Sequence, residues 1–460
     1  MPSSGKPERV AVIGGGITGL AAAFELAEAG RQVVLFEASD SLGGKIAETS
    51  LDGTVIPTGP DAFLARRPEV IELAKQVGLG ESLVSPTARS ARIYRNGELH
   101  PLPPNVLGVP ATADLATTGL ISAEGAAQAA AGTADEDDVA ASDESVGALI
   151  RRQLGDEVLE FLVDPLLGGI NAGDSDRLSV VAGVPQLDAL RQRGGRLLDA
   201  AADSVASAAR NAPADGPPPI FYSIDGGLGR LVDRLVERLS RSENCEIQTS
   251  SRAEIERRSS AGLAVNGMDV EQVISTIPAP DAAALILAVA PDAAQVLASI
   301  EYSSVALVLL TLAPGVLDVD QAVSGVLVPR TLGHHVTAVS FASHKWPHLA
   351  VGGHDVLRVS VGRRTDTRWV ELDDNDVIAA IERDLSEIFG VAVEATHTEV
   401  SRWMHSLPQY DVGHQQRIDE LDRHLDGVGG LHVTGAWRNG LGLPACVASG
   451  REAATRAMGA

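Results

Sequence analysis

The sequence predicts an α/β fold in which a discontinuous, Rossmann-like dinucleotide-binding domain encloses a helical insertion and a β-sheet domain. Three observations carry this. Residues 9–37 form a complete strand–glycine turn–helix–strand unit, residues 431–458 return to a buried-type strand followed by a helix, and the chain between them changes from Ala-rich helical patterns to β-type alternation. The expected partition is 1–85, 220–290 and 425–460 for the dinucleotide domain, 86–210 for the mainly helical insertion, and 291–424 for the β-rich domain.

In chain order, "RVAVI" reads as a buried strand. Gly14-Gly15-Gly16-Ile17-Thr18-Gly19 follows as the turn, 20–29 as a helix closed by Gly30, and "RQVVLFEAS" as the second strand. Ala23 and Leu26 lie on the packing face of that helix. Residues 64–83 carry helical periodicity, and "SARIYRNGELHPLP" has the alternation and Asn96-Gly97 turn of a hairpin. Residues 111–145 are rich in small residues and include "ADEDDVAASDES", an acidic run expected to face water as a loop. Helical patterns return at 145–163 and 185–209, and "NAPADGPPP" breaks the chain before a helix at 230–239. "CEIQTS", "GLAVNG" and "QVISTIP" are strands; "VALVLLTL", "GVLVPR", "TAVSFAS" and "DVLRVSVG" continue the β pattern, and 374–389 is a helix.

A chain of 460 residues, 45% hydrophobic, can bury a large core. Its net charge of −24 argues against nucleic acid or an anionic membrane as partner. "MPSSGKPERV" has no apolar signal region and no stretch is long enough to span a bilayer, so a cytoplasmic protein without membrane insertion is expected. Cys245 and Cys446 are far apart, and His334, His335, His344 and His348 read as loop histidines, so neither a disulfide nor a metal site is expected.

Gly14-x-Gly16-x-x-Gly19 lets backbone approach a pyrophosphate at a helix start, and Glu37, eighteen residues beyond Gly19, stands where a carboxylate accepts ribose hydroxyls. An acidic residue there disfavours a 2′-phosphate. Beyond Glu37 and Ala38, Gly43-Gly44 adds a second close-approach point, with Lys45 placed to meet a phosphate or carboxylate. Near the other end, "GAWRNGLGLPACVASG" puts a glycine-rich turn at a helix start, another site for an anionic or polar ligand edge.

The turn followed by "E-x(5)-GG" resembles the FAD-binding fingerprint of amine-oxidase-like flavoproteins, a group that includes monoamine oxidases and phytoene desaturases. "DPLLGGINAGDSDRLSV", "IDGGLGRLVDRL", "SHKWPH" and "GAWRNGLGLPACVASG" narrow the resemblance to the protoporphyrinogen oxidase family, and "GPDAF" to its Gram-positive branch, similar to the coproporphyrinogen III oxidases. The resemblance implies FAD as cofactor and a fold of the amine oxidase and p-hydroxybenzoate hydroxylase type. It implies oxidation of coproporphyrinogen III to coproporphyrin III by molecular oxygen, with hydrogen peroxide formed and the product passed to a ferrochelatase. No catalytic side chain is expected, since the flavin does the chemistry.

Carried over by resemblance, Gly59, Pro60, Asp61, Ala62 and Trp403 join the cofactor site. Gly435 and Ala436 lie along the cofactor, and Leu441, Gly442 and Leu443 approach the ring, where a helix dipole favours the reduced flavin. Gly169, Ile170 and Asn171 line the substrate side, with Gly325 and Leu327 opposite; Arg66, Arg67, Arg92 and Lys345 are candidate partners for the propionates. Asp61 stands where related enzymes carry a cation. Alternatives are a protoporphyrinogen IX oxidase, an amine oxidase or carotenoid desaturase, and a non-enzymatic FAD-containing tetrapyrrole carrier.

Overall fold

A computed structural model of the chain describes residues 9–132, 143–213, 218–258 and 262–459. Five parallel strands form the first sheet, in the order Cys245–Gln248, Gln32–Phe36, Arg9–Ile13, Gln272–Ser275, Leu431–Val433. Successive side chains of a strand point to opposite faces, and here both faces are covered. Val10, Val12, Val33, Leu35 and Ile274 pack under helices Ile17–Glu28, Gly229–Ser240 and Leu443–Ala457. Ala11, Ile13, Val34, Phe36 and Val273 pack against Ala279–Ile286, Pro291–Ala298 and His414–Leu425. Three chain segments distant in sequence therefore share one sheet.

The second sheet has seven strands, in the order His397–Pro408, Tyr302–Leu312, Asp355–Val361, Val336–Phe341, Val323–Leu327, Ser90–Arg95, Glu98–Pro101. One face, with Val308, Val326, Val339, Leu357 and Val359, is covered by helix Asp374–Phe389. Leu309 and Val356 lie on the other face, with Arg358 between them in the register, and that face looks toward the 57–64 segment. Helix Asp164–Asn171 lies against the strands Val323–Leu327 and Val336–Phe341.

The element boundaries differ from expectation where pairing is non-local. The hairpin Ser90–Arg95/Glu98–Pro101, assigned by sequence to the 86–210 segment, joins the seven-stranded sheet because Ser90–Arg95 pairs in parallel with Val323–Leu327. Helices Pro291–Ala298 and His414–Leu425, within 291–424, cover the five-stranded sheet instead. The helix expected over 64–83 is confined to Pro68–Gln76. Within the small-residue stretch 111–145 there is a helix, Ala123–Ala131, started by Ser122, whose hydroxyl accepts from Gly125 N at 3.0 Å. Residues 133–142 of the acidic run lie outside the described residues. Among the described residues no helix is long and apolar enough to cross a membrane.

Candidate functional site

The glycine turn after Arg9–Ile13 is built by close approach. A Cβ on Gly19 would lie 1.8 Å from Gly14 O, so only glycine lets the helix start pack on the turn. At Gly16 a Cβ would meet nothing within 4 Å, leaving a partly exposed recess in front of the helix. Helix Ile17–Glu28 has no side-chain cap, so the first-turn N–H groups, including those of Ile17 and Thr18, are left for a ligand. The helices starting at Ser122, Ser145, Ser179 and Asp373 are all side-chain capped. Glu37 Oε2 accepts Gly15 N at 2.7 Å, and its Oε1 accepts Ser39 N and Oγ at 2.8 Å, which fixes the carboxylate beside the turn with Ala38 next to it.

Gly43 N donates to Gly15 O at 2.9 Å, which brings the second glycine pair and Lys45 against the first turn. Lys45 keeps accessible surface yet is walled by protein on most sides, the signature of a side chain lining a recess. Loss of hydration lowers its ammonium below its ordinary value, opposed by nearby Cys446 and Asp281. It has no ion pair among the described residues.

Gly59 and Asp61 are tied to the seven-stranded sheet. Asp61 Oδ2 receives Lys345 Nζ at 2.8 Å, Arg358 Nη1 at 3.0 Å and Trp346 Nε1 at 3.1 Å, and Arg358 Nη2 donates to Gly59 O. Burial alone would raise the Asp61 carboxyl, but the two cations hold it well below the usual carboxylate range. Pro60 and Ala62 are carried by the same clamped segment. Trp403, on the sheet face that carries Arg358, donates its indole N–H to Thr58 O at 2.8 Å.

The late turn leads into the helix that packs against Ile17–Glu28. Helix Leu443–Ala457 starts at Gly442, again without a side-chain cap. Gly435 has φ +151°, and the phenol of Tyr410 donates to Ala436 O, fixing the short helix that precedes Leu441. Cys446, one turn into the long helix, is buried, which pushes its thiol up to about 11; it is a protonated packing residue.

The expected substrate-side residues also meet. A Cβ on Gly169 would be 3.5 Å from Leu327 Cδ2, so the helix packs directly on this strand, which also carries Gly325. Ile170 is 50% exposed although apolar, and Asn171 is buried. The candidate cations divide. Arg66 is exposed, while Arg67 pairs with Glu69. Lys345 is engaged by Asp61. Arg92 must be corrected: it pairs in register with Val326, whose side chain lies under helix Asp374–Phe389, so Arg92 is on the opposite face of the sheet from Leu327 and bonds Ser90 Oγ at 2.6 Å.

A family model described as "Flavin containing amine oxidoreductase" matches residues 17–458. The chain belongs to the flavin-containing amine oxidoreductases. Among its relatives is a coproporphyrinogen III oxidase of Bacillus subtilis, 34% identical with 99% of each chain covered. Another is a coproporphyrinogen III oxidase of Mycobacterium tuberculosis, 33% identical over 98% of this chain and 97% of that one. The crystal structure of a protein described as a protoporphyrinogen oxidase from Exiguobacterium sp. 255-15 superposes with a TM-score of 0.84 at 32% identity, covering 98% of both chains.

This flavin-containing oxidoreductase uses FAD, and its residues fit that group. The recess before Gly16 and the free N–H groups of Ile17–Glu28 suit the pyrophosphate, Glu37 the ribose, and the uncapped start of Leu443–Ala457 the polar edge of the ring. Sequence reasoning missed Arg358, Trp346 and Tyr410. A single Arg, Trp or Tyr in a strand or loop carries no local signature, and each acts on a segment from a distant part of the chain.

Proposed function

We propose that this flavoenzyme oxidises coproporphyrinogen III to coproporphyrin III, removing six hydrogens in three two-electron steps and reducing one molecule of oxygen to hydrogen peroxide in each. The observation that carries this reading is the near-full-length similarity to enzymes named for that substrate. It is supported by the half-exposed apolar side chain of Ile170 at the end of helix Asp164–Asn171, a surface on which a tetrapyrrole can pack. When bound, FAD supplies the two-electron acceptor.

The protein's own part is to bind, orient and exclude water. The Asp61 clamp holds the segment at Gly59–Ala62, the Tyr410 bond holds the turn at Ala436, and Ile170 offers its apolar side chain to the macrocycle. Among the candidate cations, Arg66 is exposed and has no side-chain partner among the described residues, and we assign it to a propionate. Lys345, already paired with Asp61, is a clamp first. A cytoplasmic location and transfer of the product to a ferrochelatase complete the reading. The name of the Exiguobacterium protein favours protoporphyrinogen IX as the second substrate to test. Both porphyrinogens should be incubated under air with FAD-loaded protein, following porphyrin fluorescence and peroxide. Faster oxidation of coproporphyrinogen III supports the proposal; equal or greater rates with protoporphyrinogen IX overturn the substrate assignment.

A further inference from the structure

The helix that carries Gly169 and Ile170 is fixed from below by a buried arginine. Arg363 is 1% exposed and Asp164 2% exposed, and their ion pair is 2.9 Å long. Asp164 is the first residue of helix Asp164–Asn171, and its other oxygen accepts Ser175 Oγ at 2.7 Å. The second arm of the same guanidinium donates to Val328 O at 3.2 Å, next to Leu327 at the end of its strand. Between these two anchors the fork lies directly under Gly168: a Cβ there would be 2.5 Å from Arg363 Nη1, so a larger residue would displace the fork.

The far end of this helix is fixed as well. Asn171 O accepts Gln409 Nε2 at 3.1 Å, and Ala172, with φ +47°, has a carbonyl that accepts Arg364 N at 2.8 Å and Ser303 Oγ at 3.0 Å. An alanine in the left-handed region persists only where its surroundings hold it there. Gly169 and Ile170 thereby sit on a helix pinned at both ends, and its Asp164 end is tied to the strand Val323–Leu327 through Arg363, with Arg330 Nε 3.5 Å from the same carboxylate.

We propose that Arg363 is a positioning residue that fixes helix Asp164–Asn171, and with it the exposed side chain of Ile170, against the strand Val323–Leu327 by holding Asp164 with one arm and the Val328 carbonyl with the other. A planar, rigid fork can hold both partners at a fixed distance; a compact ammonium on a flexible stem cannot. The fixed helix in turn holds the half-exposed apolar side chain of Ile170 in one place for the macrocycle to pack on. The kinetic consequence rests on the tetrapyrrole reading above, whereas the mechanical one does not.

The test uses the FAD-loaded full chain with Arg363→Lys, which keeps a positive charge beside Asp164 but cannot reach Val328 as well, and with Arg363→Met, which gives up both. Hydrogen–deuterium exchange is measured over peptides spanning 164–172 and 325–330, with the five-stranded sheet as internal reference, together with KM and kcat for coproporphyrinogen III. In Arg363→Lys we expect exchange about tenfold faster in both segments, as for the loss of one charge-assisted hydrogen bond, with the reference sheet unchanged. KM should rise about tenfold while kcat stays within about twofold. Wild-type exchange in both segments of Arg363→Lys would overturn the proposal. So would an increase spread evenly over the reference sheet, or faster local exchange with KM unchanged. If Arg363→Met does not fold, Arg363→Lys decides alone. If the wild-type protein oxidises no tetrapyrrole, the functional reading falls and the exchange pattern still decides the role of Arg363.

Discussion

Replacing Asp61 by Asn tests the clamp between the cofactor-side segment and the seven-stranded sheet. The change keeps the shape but leaves Lys345 and Arg358, now 2.8 and 3.0 Å from a neutral amide, as two mostly buried cations without their anion. Removing one partner of a buried pair costs about 3–5 kcal/mol. At about 2.1 cal/mol/K per residue, the unfolding entropy of a 460-residue chain is about 1 kcal/mol/K, so Tm should fall by about 3–5 °C. The carboxyl is depressed in the folded state, so its stabilisation is present above the ordinary aspartate value of about 3.9 and is lost as pH falls below it. Asp61→Asn should lack that acid-side decline, and Asp61→Asn combined with Lys345→Met should recover part of the lost Tm by removing one orphaned cation. Thermal unfolding of the FAD-loaded proteins at pH 7 and across the acid range reads all of this, with flavin absorbance reporting cofactor content. A Tm for Asp61→Asn within about 1 °C of wild type, with FAD fully retained, would refute the clamp. If Lys345 instead served a propionate, Lys345→Met would raise KM for the porphyrinogen at unchanged Tm.

Three further outcomes follow. Gly16→Val points its side chain into the open recess, so the protein should fold with nearly wild-type apo stability but lose FAD by about tenfold or more in affinity, whereas Gly19→Val, with its Cβ 1.8 Å from Gly14 O, should not give folded protein; absorbance spectra and circular dichroism distinguish the two. His414 is 1% exposed and burial lowers it to about 4, so its stabilisation is present above its ordinary value and lost as pH falls from about 6.5 to about 4; denaturant titrations should show His414→Gln flattening that decline by about 3 kcal/mol. Ile170→Asp, at a half-exposed position, should change Tm by less than about 1 °C while raising KM for coproporphyrinogen III about tenfold, read by steady-state kinetics.

The dinucleotide turn was legible because all of its information is local: glycine spacing, a strand before, a helix after, and Glu37 at the end of the next strand. The same holds for the Asn96-Gly97 hairpin, but not for the strand it pairs with. Ser90–Arg95 lies beside Val323–Leu327, more than two hundred residues away, and that pairing decides which face Arg92 occupies. A list of nearby cations could not distinguish Arg92, behind the sheet, from Lys345, in front of it and already paired. Asp61 drew notice as an unusual acid, yet its meaning depends on Arg358 and Trp346, 297 and 285 residues later. Arg363 escaped for the same reason. Its neighbours in sequence are polar, and only folding places it under Gly168.

FAD-loaded protein should be mixed with coproporphyrinogen III in the absence of oxygen, with flavin absorbance and porphyrin fluorescence followed together. The flavin should bleach as porphyrin appears, with one porphyrin formed for every three flavins reduced, and admitting oxygen should restore the yellow colour with release of peroxide. Flavin that stays oxidised in the presence of excess coproporphyrinogen III, in protein shown to hold FAD, would contradict it.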